Sequence, residues 1–287
     1  MPDPIVIAEA IVLALLVSGV VAWISARRGT LTAALGRVVA IGAGFYLGCG
    51  WLGIVPRWSI REDRDRLFIL VIPAVWMVEI VGTLPMAPRW LVGTGRLVVA
   101  GLGTPVLLWG SVYLSTSWTQ RFAVLVFVGI AAIEAMEWGL LAKLAHRETG
   151  LSLSIAMAMT ISAASVANAM SGYLGAGEVG MMLSASVLGG AVARSRSVGI
   201  AVVGLASLLT IGHFFGGLRA DHAAILAAAP MLAWTPEAPG LRELSAKARS
   251  ILRVALVAVL VGGVVADAGR RFVEADGFAI AAGAEGP

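Results

Sequence analysis

Cysteine, histidine and charge are the scarce components of this 287-residue chain. Its single cysteine, Cys49, stands inside an apolar run. That excludes an intrachain disulfide and any multi-cysteine metal site, and leaves a small buried side chain as the plain reading. The three histidines, His146, His213 and His222, show no ligand spacing, so no metal is expected. Charged residues make up 13% of the chain, against roughly 25% in a soluble domain. The H-E-x-x-H, G-x-S-x-G, P-loop and dinucleotide-binding signatures are absent, so no catalytic residue or cofactor is expected. The net charge of +4 comes without a basic–aromatic surface, which excludes nucleic acid as a partner.

Apolar residues are abundant, at 59%. A membrane span takes about 20 of them in succession. The runs at 4–25, 37–55, 67–84, 90–114, 122–142, 152–172, 177–193, 197–216 and 248–267 approach or meet that length. A tenth, 220–236, is short and holds Pro230, so it reads either as a span or as a re-entrant or interfacial helix. The sequence therefore predicts an all-α, polytopic membrane protein of about ten transmembrane helices, nine if 220–236 does not cross. Loops are short and no soluble domain is expected: one transmembrane domain fills 1–267, with a loose tail over 268–287.

Arg27 and Arg28 follow the first run instead of preceding it. Residues 4–25 are thus expected to be a retained span with the N-terminus outside, in a cytoplasmic (inner) membrane. The positive-inside bias then places Arg27, Arg28, Arg37, Arg89, Lys143, Arg147, Arg194 and Arg196 on the cytoplasmic side. The loop "PRWSIREDRDRL" at 56–67 runs against it, with four arginines beside Glu62, Asp63 and Asp65. It reads as a short surface helix anchored by Trp58, with Arg61 and Asp65 at i,i+4 spacing, and either a solvated face or a headgroup site. Trp23, Trp51, Trp58, Trp90, Trp118 and Trp234 fall near predicted span ends, as an aromatic belt does.

The chemistry-bearing candidates are charges inside apolar runs. Each costs roughly 2.5–3.5 kcal/mol on insertion scales, so such groups usually face inward and pair. In "GIAAIEAMEWGL" (129–140), Glu134 and Glu137 share a helix face. Glu79 stands 12 residues after Leu67, and Glu134 stands 12 after Phe122, so depth counting sets both at one level. The tight connection "PMAPR" returns the next run so that Arg96 lies near that level too. One guanidinium can satisfy two carboxylates, which leaves one acid in excess. Such a set is either a proton- or solute-linked site or a fixed clamp between three helices. The last three runs show no counterpart charges.

Ser162, Ser165, Asn168 and Ser171 recur every third residue. Such a stripe lines a water path or simply bonds neighbouring helices; Ser165 and Asn168 are its candidates. The glycine-rich 172–180 either dips into the membrane, with Glu178 at the outer mouth, or is a short hairpin. His213 is a further, weaker candidate, and Asp221 is read as a cap for the helix that starts at His222. These residues are expected to serve a small secondary transporter or permease built around Glu79, Arg96, Glu134 and Glu137. The alternative is a structural or assembly subunit of a membrane complex, and the third reading is a lipid-modifying enzyme. The expected partners are the lipid bilayer, a small solute or proton, and further copies or complex subunits.

Overall fold

A computed structural model describes residues 3–28, 30–54, 60, 62–147, 151–193 and 197–284. Among the described residues 87% are helical and none is in a strand. Helix α1 (Pro4–Ala26) starts from Asp3, whose carboxylate accepts the Ile5 N–H at 2.9 Å. Proline at its first position suits a helix start, where the missing N–H is not needed. α2 (Thr30–Trp51) returns beside it. α3 (Asp63–Thr83) contains one wide turn, Leu67–Val71, closed by an i→i+5 bond from Ile72 to Leu67. The turn stands directly before Pro73, which lacks an N–H for the carbonyl four residues back, so the widened turn relieves that conflict.

α4 (Arg89–Leu108) and α5 (Gln120–Arg147) follow, then α6 (Ser152–Met170), α7 (Leu174–Gly190) and α8 (Gly199–Phe215). α9 (Ala220–Ala228) changes at Ala229–Glu237 into a 3₁₀ helix holding Pro230 and Pro236, and α10 (Ala246–Ala284) closes the chain. Seven of these helices, α1 to α6 and α10, are long and apolar enough to cross a membrane. α7 and α8 have 17 residues each, about 25 Å at the helical rise.

α8 is the centre, touching α3, α4, α5, α6, α7 and α9. α1, α2 and α7 pack beside it through small residues. The buried face of α1 is Ala10, Ala14, Ser18 and Ala22, an i,i+4 stripe, and its opposite face shows Val12, Leu16 and Val20. A side chain at Gly48 would lie 2.9 Å from the Ala14 methyl, so glycine there lets two backbones approach. Apolar side chains such as Leu97, Leu125, Val128 and Val259 are exposed around the bundle, a surface unlike that of a water-soluble monomer.

Four local details differ from the sequence expectations or complete them. Asp63–Arg66 is the first turn of α3 and not a separate surface helix. Asp63 and Asp65 are buried, and the Tyr173 hydroxyl donates to both Asp63 oxygens at 2.7 and 2.8 Å. Trp58 and Arg61, like Arg194 and Arg196, lie outside the described residues. In the glycine-rich 172–180, Gly172, at φ +90°, makes the turn, and α7 begins at Leu174. The segment from 220 is helical as far as Glu237. His222 meets Asp267 and Glu237 meets Arg253, so it runs antiparallel to the stretch of α10 between Arg253 and Asp267, about 21 Å long. Finally, α10 does not stop at 267 but continues helical to Ala284.

Candidate functional site

Glu79, on α3, collects partners from three other parts of the chain. Its Oε1 accepts the Trp138 indole N–H at 3.0 Å and its Oε2 the Ser197 hydroxyl at 2.6 Å. Arg96 Nη2 stands 3.8 Å from Oε1, and the guanidinium lies 5.3 Å over the Trp138 ring. A Cβ at Gly199 would collide with both Glu79 and Trp138, so α8 can begin here only with glycine. The arrangement joins α3, α4, α5 and the start of α8 through one satisfied carboxylate.

Glu134 and Glu137 do not belong to it. Both are buried on α5, at 3% and 5% exposure. The Oε1 atom of each is buried with no hydrogen-bond partner among the described residues. Depth counting sets the level of these groups but not the azimuth. Trp138 occupies the side of α5 facing Glu79, and Glu137, one residue earlier, lies about 100° around the helix from it. The expected four-group network therefore separates into a paired acid and two unpaired ones.

The unpaired acids line a cleft of about 210 Å³ between α5, α8 and α9. α9 contributes Ala220, Ala223, Ala224 and Ala227, an i, i+3, i+4, i+7 stripe with no polar group. α8 contributes Leu205, Leu209, Thr210 and His213. His213 Nδ1 donates to the Leu218 carbonyl at 2.8 Å; a carbonyl only accepts, so Nδ1 carries the proton and Nε2 is the ring's other nitrogen. α5 and α8 run in opposite directions. With Trp138 close to Gly199, Glu134 and His213 are about 15 Å apart along the cleft.

The polar stripe of α6 is placed elsewhere. Thr160, Ser165 and Ser171 donate back to the carbonyls of Ala156, Ile161 and Ala167 in their own helix. Asn168 Nδ2 donates to the Leu208 carbonyl at 3.0 Å, and Ser162 pairs with Ser184 at 2.7 Å. Ser162 and Asn168 thus tie α6 to α7 and α8, and none of the stripe lines the cleft. Glu178 is half-buried on the second turn of α7, also away from it.

The last helices do carry charge, contrary to the sequence reading. Arg253 is fully buried on α10. It donates to the Ala233 carbonyl at 2.8 Å, the Ser152 hydroxyl at 2.8 Å and Glu237 at 3.2 Å. The signal was present: Arg253 interrupts the apolar run 248–267. Trp138 was likewise legible as the one tryptophan inside "GIAAIEAMEWGL". Asp221 accepts the His222 N–H and pairs with Arg219, while the His222 ring finds Asp267 at 3.0 Å. Among the described residues no three His, Cys, Asp or Glu side chains gather to hold a metal ion. Comparison of the chain with protein-family models, curated proteins and solved structures finds no match.

Proposed function

We propose that the protein is a small secondary transporter embedded in a membrane through about ten helix crossings, with Glu134 and Glu137 as its proton- or solute-linked site. One observation carries this reading: two buried carboxyl groups, each with an oxygen that no described group satisfies, line a cleft between three helices. A buried polar group without a partner is costly, so a sequence that places two of them together gains from a ligand that completes them. The alternative, an assembly subunit whose charges only clamp helices, calls for every acid to be paired. Glu79 meets that requirement; Glu134 and Glu137 do not.

The groups facing the two acids are few. They neighbour each other on α5; α8 adds Thr210 and, at the far end of the cleft, His213, only alanines come from α9, and Arg96 of α4 is engaged by Glu79 and Trp138. In proteoliposomes holding an imposed pH gradient and a pH-sensitive dye, addition of a transported solute is expected to dissipate the gradient. Glu134→Gln and Glu137→Gln should each slow that flux. Unchanged rates in both variants would remove the site assignment.

A further inference from the structure

The walls of the cleft restrict what can complete the two carboxyls. Apart from Glu134 and Glu137, its polar side chains are Thr210 and His213, and His213 is about 15 Å away at the other end. Between them stand alanine, leucine and isoleucine side chains. A sugar or another polyhydroxylated solute would lose its hydration against these walls without replacement. An anion would meet two acids. A zwitterion's carboxylate, held a few ångströms from its own amine, would find no donor. A bare metal ion would find two carboxylates where calcium takes 6–8 oxygens.

An ammonium group has three donors and suits two acceptors at helical i,i+3 spacing. An apolar body attached to it would lie along the alanine stripe of α9, about 10 Å from Ala220 to Ala227. The volume of about 210 Å³ falls below the ≈ 300–1,000 Å³ of drug-sized pockets, which limits that body to about one ring or a short chain. Ile133 and Ala224 border the cleft and are exposed, so it opens sideways between α5 and α9, onto the apolar surroundings of the bundle.

We infer that the Glu134–Glu137 cleft binds small lipophilic primary amines, the ammonium group between the two carboxyls and the apolar body against α9. The inference rests on the carrier reading and names its substrate class. Its proton balance is closed. A neutral amine meeting a protonated carboxyl takes that proton, and an ammonium ion meeting a carboxylate gives the same bound pair, with no net charge gained in the first case.

Equilibrium binding of radiolabelled phenethylamine to the purified full-length chain in nanodiscs tests it. Saturable binding is expected, displaced by unlabelled phenethylamine but not by 2-phenylethanol, phenylacetate or ethylamine, which lack the charge, reverse it or lack the apolar body. Glu134→Gln and Glu137→Gln should each weaken binding about 10- to 100-fold, the range of one charge-assisted hydrogen bond. Ala224→Phe, which fills the cleft without touching the acids, should weaken it comparably. Equal displacement by 2-phenylethanol, or affinity unchanged in both glutamine variants, overturns the inference. The competition series uses the native chain and so does not depend on the folding of any variant. Amine binding without amine-driven proton flux would sink the carrier reading and leave the amine site. Glutamate-dependent proton flux without amine binding would do the reverse.

Discussion

Glu79 and Glu134 stand on different helices, each no more than 6% exposed, yet their surroundings ask opposite things of them. Truncating Glu79 strips the acceptor from the Trp138 N–H, the Ser197 hydroxyl and Arg96 together. Arg96 is 30% exposed, so water compensates it in part. Glu79→Ala is expected to lower unfolding stability by about 2–4 kcal/mol. Glu134→Gln removes a carboxyl that no described group satisfies at Oε1, so it should leave stability unchanged or raise it. Denaturant unfolding of the two variants in one detergent checks the contrast; equal losses would mean that Glu134 is structural. Tyr173 offers a residue-scale pH test outside the spans. Burial and then its bond to Asp63 push the phenol above its ordinary range. The stability this contributes is full below the unfolded value of about 10 and is lost as pH rises through the higher folded one. At about pH 11, Tyr173→Phe should leave the tyrosinate absorbance of the folded protein unchanged while reducing that of the denatured chain. A smaller band in the folded variant would show that Tyr173 already ionises there.

At the scale of elements, the segment from α9 to Glu237 depends on α10. Pro230 and Pro236 deny it regular α-helical bonding, and a hydrogen bond and an ion pair near its two ends hold it: His222 to Asp267, Glu237 to Arg253. Arg253→Met should destabilise the protein by about 3–5 kcal/mol, the usual effect of breaking a buried pair. Arg249, 3.6 Å from Glu237, draws the value toward the lower end. Adding Glu237→Gln to Arg253→Met should recover part of the loss, whereas purely additive losses would deny the coupling. The prolines and the interrupting Arg253 are legible in the sequence. Their consequence is not, because helical periodicity gives a residue's height and face but not which neighbour that face meets. The same gap separated Glu134 and Glu137 from Arg96: their depth could be counted, while the side of α5 taken by Trp138 could not. The serines of α6 were ambiguous for a related reason, since a hydroxyl bonds back to its own helix as readily as it lines a path.

Over the whole molecule, the apolar runs marked where the long helices lie, seven of them long and apolar enough to cross a membrane, because a helix that crosses must be apolar over its full height whatever it packs against. The direction of the segment from 220 needed the structure, and it fixes a test of topology. His222 and Asp267 lie at the end of the bundle that holds the Trp118–Phe214 contact. Glu237 and Arg253 lie at the end that holds Ser152 and the Arg147–Trp234 contact. If 220–237 crosses as one broken helix, exposed Arg219 and Thr119 belong to one side of the membrane, and exposed Glu243 and Arg147 to the other. Cys49 is buried at 1% exposure, so replacing it with alanine gives a cysteine-free background in which single cysteines report position. In sealed vesicles of one orientation, an impermeant maleimide should label Arg219→Cys together with Thr119→Cys. Glu243→Cys and Arg147→Cys should react only after permeabilisation, or the two pairs should exchange roles together. Labelling of Arg219→Cys and Glu243→Cys from the same side would return the segment to a re-entrant hairpin. That outcome would also remove α9 from the wall of a membrane-spanning cleft, and the lateral entry route with it.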